Sequence, residues 1–140
     1  MDIRRITDRY AVSPQIGPED VPALAEAGFT TVICNRPDDE VGPGLMADEV
    51  AAAARAAGLD WVLNPVGHAG LSQDMIDRQR SALAAAPGPV LAYCRSGTRS
   101  TIVWAIGEAG MRDGADIIAD AARAGYDIAH LAPILDDTGA

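Results

Sequence analysis

The sequence predicts an α/β fold, a single domain with a mostly parallel central sheet flanked by helices. Short β-branched or apolar runs alternate with Ala-rich segments of helical length, the order expected of strand–helix units. Gly or Pro stands at nearly every junction, as in Gly28, Gly58 and Pro87-Gly88-Pro89. One apolar run, Pro89-Val90-Leu91-Ala92, also passes through a short Gly-containing loop directly into a second apolar segment that reads as a helix.

Taken in order, Arg4-Arg5-Ile6 and Tyr10-Ala11-Val12-Ser13 read as two short strands around a Thr7-Asp8 turn. Gly17-Pro18-Glu19-Asp20 opens a helix, with Pro at its first position and acids facing the dipole; Val21, Leu24, Ala25 and Ala27 form its apolar face, and Gly28 ends it. Thr30-Thr31-Val32-Ile33-Cys34 is the strongest strand signal. The turn-rich loop Asn35 to Gly44 leads to a second helix, Leu45 to Ala57. Leu59 to Leu63 returns as a strand, Pro65 to Leu71 is a loop, and Ser72 caps a third helix expected to turn Met75, Ile76 and Leu83 inward. After the Val90 strand, a helix from Thr101 ends near Gly110. Another starts at Asp113-Gly114 and carries Ile117, Ile118 and Ala121; Asp127 caps a last short helix through Leu135, and the tail from about residue 136 is expected to fray.

The 140 residues are 49% hydrophobic and 22% charged, an ordinary globular balance, with enough chain to bury a core. A net charge of −9 argues against nucleic-acid and anionic membrane partners, which need clustered Lys and Arg. No apolar stretch reaches the roughly 18 residues of a membrane span. Met1 to Ile6 lacks the apolar run of a signal peptide, and two cysteines do not make a disulfide framework, so a reducing cytoplasm is expected.

The chemistry concentrates in Tyr93-Cys94-Arg95-Ser96-Gly97-Thr98-Arg99-Ser100. A cysteine that closes a strand, followed by a tight loop at a helix start, faces converging backbone amides and the positive end of the helix. Those are surroundings in which a cysteine acts as a nucleophile and an anion is bound. Ligands of open α/β sheets sit beyond the carboxyl ends of the strands. The site should therefore be built from three loops: Asn35–Gly44, Pro65–Leu71 and Cys94–Arg99. Cys94 and Arg99 are the candidate catalytic residues. Arg95, Ser96, Gly97, Thr98, Ser100, Arg36 and His68 are the candidate anion- or substrate-binding residues, with Ser100 in reach of a hydrogen bond to the Cys94 sulfur. Asp38 and Asp39 are candidate rim residues on a solvated turn. Cys34, within a β-branched run, reads as a core cysteine, and His130 and the two Trp residues read as packing or surface.

The layout from Ile3 to about Ala121 resembles the cysteine-dependent dual-specificity phosphatase fold. The matching pieces are Tyr10-Ala11-Val12-Ser13, the helix to Gly28, Thr30 to Ile33, Asn64-Pro65-Val66, and the strand, Cys loop and helix. More closely, Asn35-Arg36-Pro37-Asp38, Pro65-Val66 and Cys94 to Ser100 resemble the phosphatase-like domain of the beta-lactamase-hydrolase-like proteins, a family of rhodanese-type sulfur transferases. Two departures from the phosphatase pattern favour sulfur transfer over phosphoryl transfer. Phosphatases of this type place an Arg after five residues, whereas Arg99 follows Cys94 after four and Ser100 holds the phosphatase Arg position. The family's general-acid Asp is also missing after Pro65-Val66, where Gly67-His68-Ala69-Gly70 stands, leaving His68 as a proton donor. The resemblance thus implies a sulfurtransferase that moves sulfane sulfur from thiosulfate or a small persulfide through a Cys94 persulfide to a thiol or cyanide. It implies no metal or organic cofactor, and a persulfide dioxygenase as a partner. The first alternative is a cysteine-dependent phosphatase acting through a phosphocysteine; the second is a non-catalytic module that binds an anion or a persulfide.

Overall fold

The period-two alternation of the strands divides the molecule into two cores, one on each face of a five-stranded sheet. The computed structural model describes residues 1–138. Strands β1 (Arg4–Arg5), β2 (Tyr10–Ser13), β3 (Thr31–Cys34), β4 (Asp60–Leu63) and β5 (Val90–Tyr93) lie in the order β1-β2-β5-β3-β4. Among the described residues only the β1–β2 pair is antiparallel, so the sheet is mixed but mostly parallel, as predicted. Tyr10, Val12, Ile33, Val90 and Ala92 point to one face, with Trp104, Ile117, Ala121 and Leu135 from the helices. Ala11, Val32, Cys34, Leu91 and Tyr93 point to the other, with Val21, Leu24, Val50 and Ala54.

The helices follow the sequence signals closely. A single 3₁₀ turn at Pro18–Asp20 leads into α1 (Val21–Glu26). The others are α2 (Ala47–Ala56), α3 (Gln73–Ala85), α4 (Thr98–Glu108), α5 (Gly114–Arg123) and α6 (Ala132–Thr138). Helix α2 starts two residues later than expected because Asp38 Oδ1 accepts from the Ala47 amide at 2.8 Å and fixes its first turn. Ser72 caps α3 as predicted, accepting from the Met75 amide at 3.2 Å. The inward face of α3 differs from expectation. Gln79 and Ala82 are its buried residues, while Met75, Ile76 and Leu83 are half-buried. The tail expected to fray from residue 136 is helical through Thr138, and Gly139 and Ala140 lie outside the described residues.

Parallel pairing of β2, β5, β3 and β4 brings all four carboxyl ends to one edge. Among the described residues no helix is long and apolar enough to cross a membrane.

Candidate active site

Cys94 follows β5 immediately and is fully buried. The next three residues turn the chain, and the Gly97 amide donates to Cys94 Sγ at 3.1 Å. Gly97 makes that turn with φ +93°, a left-handed conformation that favours glycine. It also has no room for a side chain, since an added Cβ would collide with the Tyr126 hydroxyl, which donates to Ser96 O at 2.9 Å. Helix α4 begins at the next residue, so the sulfur sits at its positive end beside one aimed amide.

This geometry corrects the counting argument for a shortened loop. The turn is closed by Gly97, three residues after Cys94, and Arg99 and Ser100 both lie in the first turn of α4. The turn at the sulfur is thus closed by Gly97, and Arg99 follows it in the helix. Ser100 is buried and its Oγ has no hydrogen-bond partner among the described residues, so the expected bond to Cys94 is not formed. Thr101 Oγ1 instead donates to Gly97 O at 2.8 Å and ties the helix to the turn.

The three predicted loops do converge, through Arg99. Its guanidinium grips both carboxylate oxygens of Glu40, at 2.6 and 2.8 Å, and donates to Val66 O at 2.6 Å. Arg36 reaches the same carboxylate at 3.3 Å and the Glu40 carbonyl at 2.9 Å. His68 Nε2 stands 3.6 Å from Glu40 Oε2, with its side chain 79% exposed. The hydrogen bond from Arg99, with its charge and the Arg36 hydrogen bond adding to it, holds the Glu40 carboxyl down at about 2 against partial burial. The same Glu40 hydrogen bond pushes Arg99 up. Arg95, Ser96 and Thr98 are exposed, the latter two bonded to each other at 3.1 Å.

Sequence reasoning missed the rim residues Glu40 and Gln15 and a set of buried polar residues. Glu40, the hub of the rim, lies four residues after Arg36 on the same loop, a spacing that marks an ion pair in the folded turn. A fourth loop, after β2, also joins the edge: Gln15 Oε1 accepts from Arg36 at 3.1 Å and the Gln15 backbone N–H donates to Arg95 O at 3.4 Å. Behind the loop lie Tyr10, Asn35, Asn64 and Gln79, all buried. Gln79 carried a signal in the sequence, being a polar residue on the apolar face of α3. Cys34 is a core cysteine as expected; burial pushes its thiol up, and it donates to Arg36 O at 3.3 Å. Trp104 is likewise buried, stacked on Tyr10.

Residues 2–111 match the family described as the phosphatase-like domain of beta-lactamase hydrolase-like proteins, and the chain belongs to that family. A beta-lactamase hydrolase-like protein of Agrobacterium fabrum is 36% identical over 106 residues, covering 75% of this chain and 24% of the relative. One from Xylella fastidiosa is 34% identical over 108 residues, covering 77% and 25%. The chain thus spans about a quarter of the length of the curated relatives it matches. Among solved structures, a candidate phosphatase from Neisseria meningitidis is 29% identical, with TM-score 0.84 and 99% of each chain covered. The active form of Tk-PTP shares the fold at TM-score 0.74 and 16% identity, covering 99% of this chain and 96% of its own. These likenesses overturn the sulfur-transfer expectation: the fold neighbours and the matching domain are phosphatase-like.

Proposed function

We propose that this member of the beta-lactamase hydrolase-like phosphatase domain family is a cysteine-dependent phosphoester hydrolase working through a phosphocysteine. The observation that carries the proposal is the placement of Cys94 Sγ, 3.1 Å from the Gly97 amide at the start of α4 and at the carboxyl edge of a parallel sheet. An anion drawn to that helix start meets the sulfur. In the first step the Cys94 thiolate attacks phosphorus; the S–P bond forms, the ester P–O bond breaks, and the leaving oxygen takes a proton from His68 or water. In the second, water attacks phosphorus, the S–P bond breaks, and inorganic phosphate leaves as the thiolate returns. The Gly97 amide and the first turn of α4 stabilise negative charge in both steps.

Arg99 and Arg36 are the cations of the rim, and both are engaged by Glu40. The chain carries −9 overall, so capture of a phosphoester falls to this local group.

Hydrolysis of p-nitrophenyl phosphate by the wild type and Cys94→Ser, with intact mass after a rapid acid quench, tests the reading. The expected result is turnover lost in Cys94→Ser and a phosphoryl adduct on the Cys94 peptide of the wild type. Turnover that survives Cys94→Ser would overturn it.

A further inference from the structure

The buried polar side chains beneath the Cys94 loop form one chain of contacts, and Gln79 is its junction. Gln79 Oε1 accepts from Asn35 Nδ2 at 3.1 Å, just after β3, and from Asn64 Nδ2 at 3.0 Å, just after β4. Gln79 Nε2 donates to the Tyr10 hydroxyl at 2.8 Å. Tyr10 in turn donates to Ser100 O at 2.8 Å, in the first turn of α4. Asn35 Nδ2 also donates to Asn64 O at 2.9 Å, and Asn64 Nδ2 to Met75 O at 2.9 Å, so both asparagines are held on two sides. Tyr10, Asn35, Asn64 and Gln79 are each no more than 1% exposed.

Three features connect this chain to the loop. A fully buried glutamine on an α3 face otherwise filled by apolar residues is costly unless every polar atom is used, and Gln79 uses both ends. Its contacts run to the ends of two strands whose loops form the site and, through Tyr10, to the helix that begins three residues after the nucleophile's turn starts. The direction of each bond is also fixed. The Gln79 carbonyl faces two amide donors, so its NH₂ must face Tyr10, and the Tyr10 proton must then point at Ser100 O. Burial, with the nearby Cys94 charge adding to it, pushes the Tyr10 hydroxyl well up, so it remains a donor.

We infer that Gln79 and Tyr10 are positioning residues that hold the first turn of α4, and with it the Gly97 amide facing Cys94, against the ends of β3 and β4. The inference rests on Cys94 being the nucleophile of the proposed hydrolase, but not on which reaction it performs. Without the relay the first turn of α4 loses an anchor. The amide drifts from the sulfur, and the attacking sulfur loses the donor aimed at it.

Alkylation of the full chain by iodoacetamide at pH 7, with peptide mapping of Cys94 and Cys34, tests this in Tyr10→Phe and Gln79→Met after thermal melts establish that each is folded. Tyr10→Phe keeps the ring stacked on Trp104 and removes only the hydroxyl. Loss of an aimed donor predicts Cys94 alkylation slower by about threefold to tenfold in both variants, with Cys34 unchanged. The double variant should be no slower than the worse single one, because the two residues form one relay. General loosening gives the opposite sign, exposing both buried thiols and speeding both. Faster labelling of both cysteines, an unchanged Cys94 rate in folded Tyr10→Phe, an unreactive Cys94 in the wild type, or failure of both variants to fold would each overturn the inference. Hydrolysis of p-nitrophenyl phosphate is followed in parallel. A wild type without turnover but with the predicted labelling pattern refutes the hydrolase and leaves the relay standing.

Discussion

Below the Cys94 loop and above it, the molecule holds its site by different means. Below, Tyr10, Asn35, Asn64 and Gln79 are neutral and buried, and each donor has a fixed acceptor. Above, Arg36, Glu40, Arg99 and His68 are charged or chargeable and reach solvent, with Arg99 and Glu40 15% and 17% exposed and His68 mostly so. Neutral bonds out of water resist re-pairing, because moving one strands a donor; of these four side chains only Asn35 Oδ1 lacks a partner among the described residues. An ion pair at a wet rim has alternatives, since a guanidinium can exchange one anion for another at little cost. The contrast suits the proposed hydrolase, in which the nucleophile stays still while the rim accepts and releases an anion.

The largest effect that would sharpen this contrast is at the turn between the two regions. Gly97→Ala places a side chain at φ +93° and against the Tyr126 hydroxyl. It should cost about 2 kcal/mol or more in a denaturant titration. Cys94-dependent hydrolysis should fall at least about tenfold, because the amide at the sulfur is displaced. A folded, fully active Gly97→Ala would show that the cradle is not rigid. Glu40→Gln comes next. The loss of its ion pairs should cost only about 1 kcal/mol, as expected of a partly exposed pair. Arg99 and Arg36, released, should bind inorganic phosphate more tightly, read as a lower inhibition constant. Weaker phosphate binding would mean that Glu40 orders the arginines rather than competing for them.

The two regions also differed in how far the sequence disclosed them. The β5–loop–α4 unit was legible because all its determinants are local: an apolar run, Cys94, Gly97 and the helix that follows. The three loops of the edge followed from strand order alone. Two things were not legible. The spacing of Cys94 and Arg99 points to a short loop, yet the turn is closed by Gly97 and Arg99 faces Glu40. Backbone geometry, not the position of a charged side chain, decides where such a loop closes. The buried network is hidden because its members lie far apart in the chain, from Tyr10 to Ser100, and because the apolar residues of α3, Met75, Ile76 and Leu83, suggest an apolar face. Gln79, at the same helical spacing, is the residue that face buries most. A polar residue in an apolar stripe was the available signal.

Acid should separate the regions further. Glu40 is held at about 2, below the ordinary carboxylate value of 4.5, so its folded form favours the charged state. A depressed carboxylate contributes stability that is complete above the ordinary value and is lost as pH falls through the folded one. The stability difference between wild type and Glu40→Gln should therefore be constant from neutral pH to about 4.5 and shrink toward pH 2. The difference between wild type and Tyr10→Phe should not change over that range, since no carboxylate takes part in the relay. Denaturant midpoints at four or five pH values for the three proteins decide it. A Glu40 contribution unchanged at pH 2.5 would mean that the rim is not held by that carboxylate's charge.

The smallest effect belongs to His68, the most loosely held member of the rim. Its contact with Glu40 is 3.6 Å and its side chain is 79% exposed, so His68→Asn should leave stability within about 0.5 kcal/mol. Its effect on rate depends on the leaving group. A nitrophenolate leaves without a proton, so hydrolysis of the nitrophenyl ester should change less than about twofold. An alkoxide needs a proton, and hydrolysis of an alkyl phosphate should slow by about tenfold if His68 supplies it. Equal slowing with both esters would mean that His68 shapes the site instead of donating a proton, and that the rim is held as firmly as the cradle beneath it. No slowing with either would assign the proton to water and leave the rim arginines as its functional part.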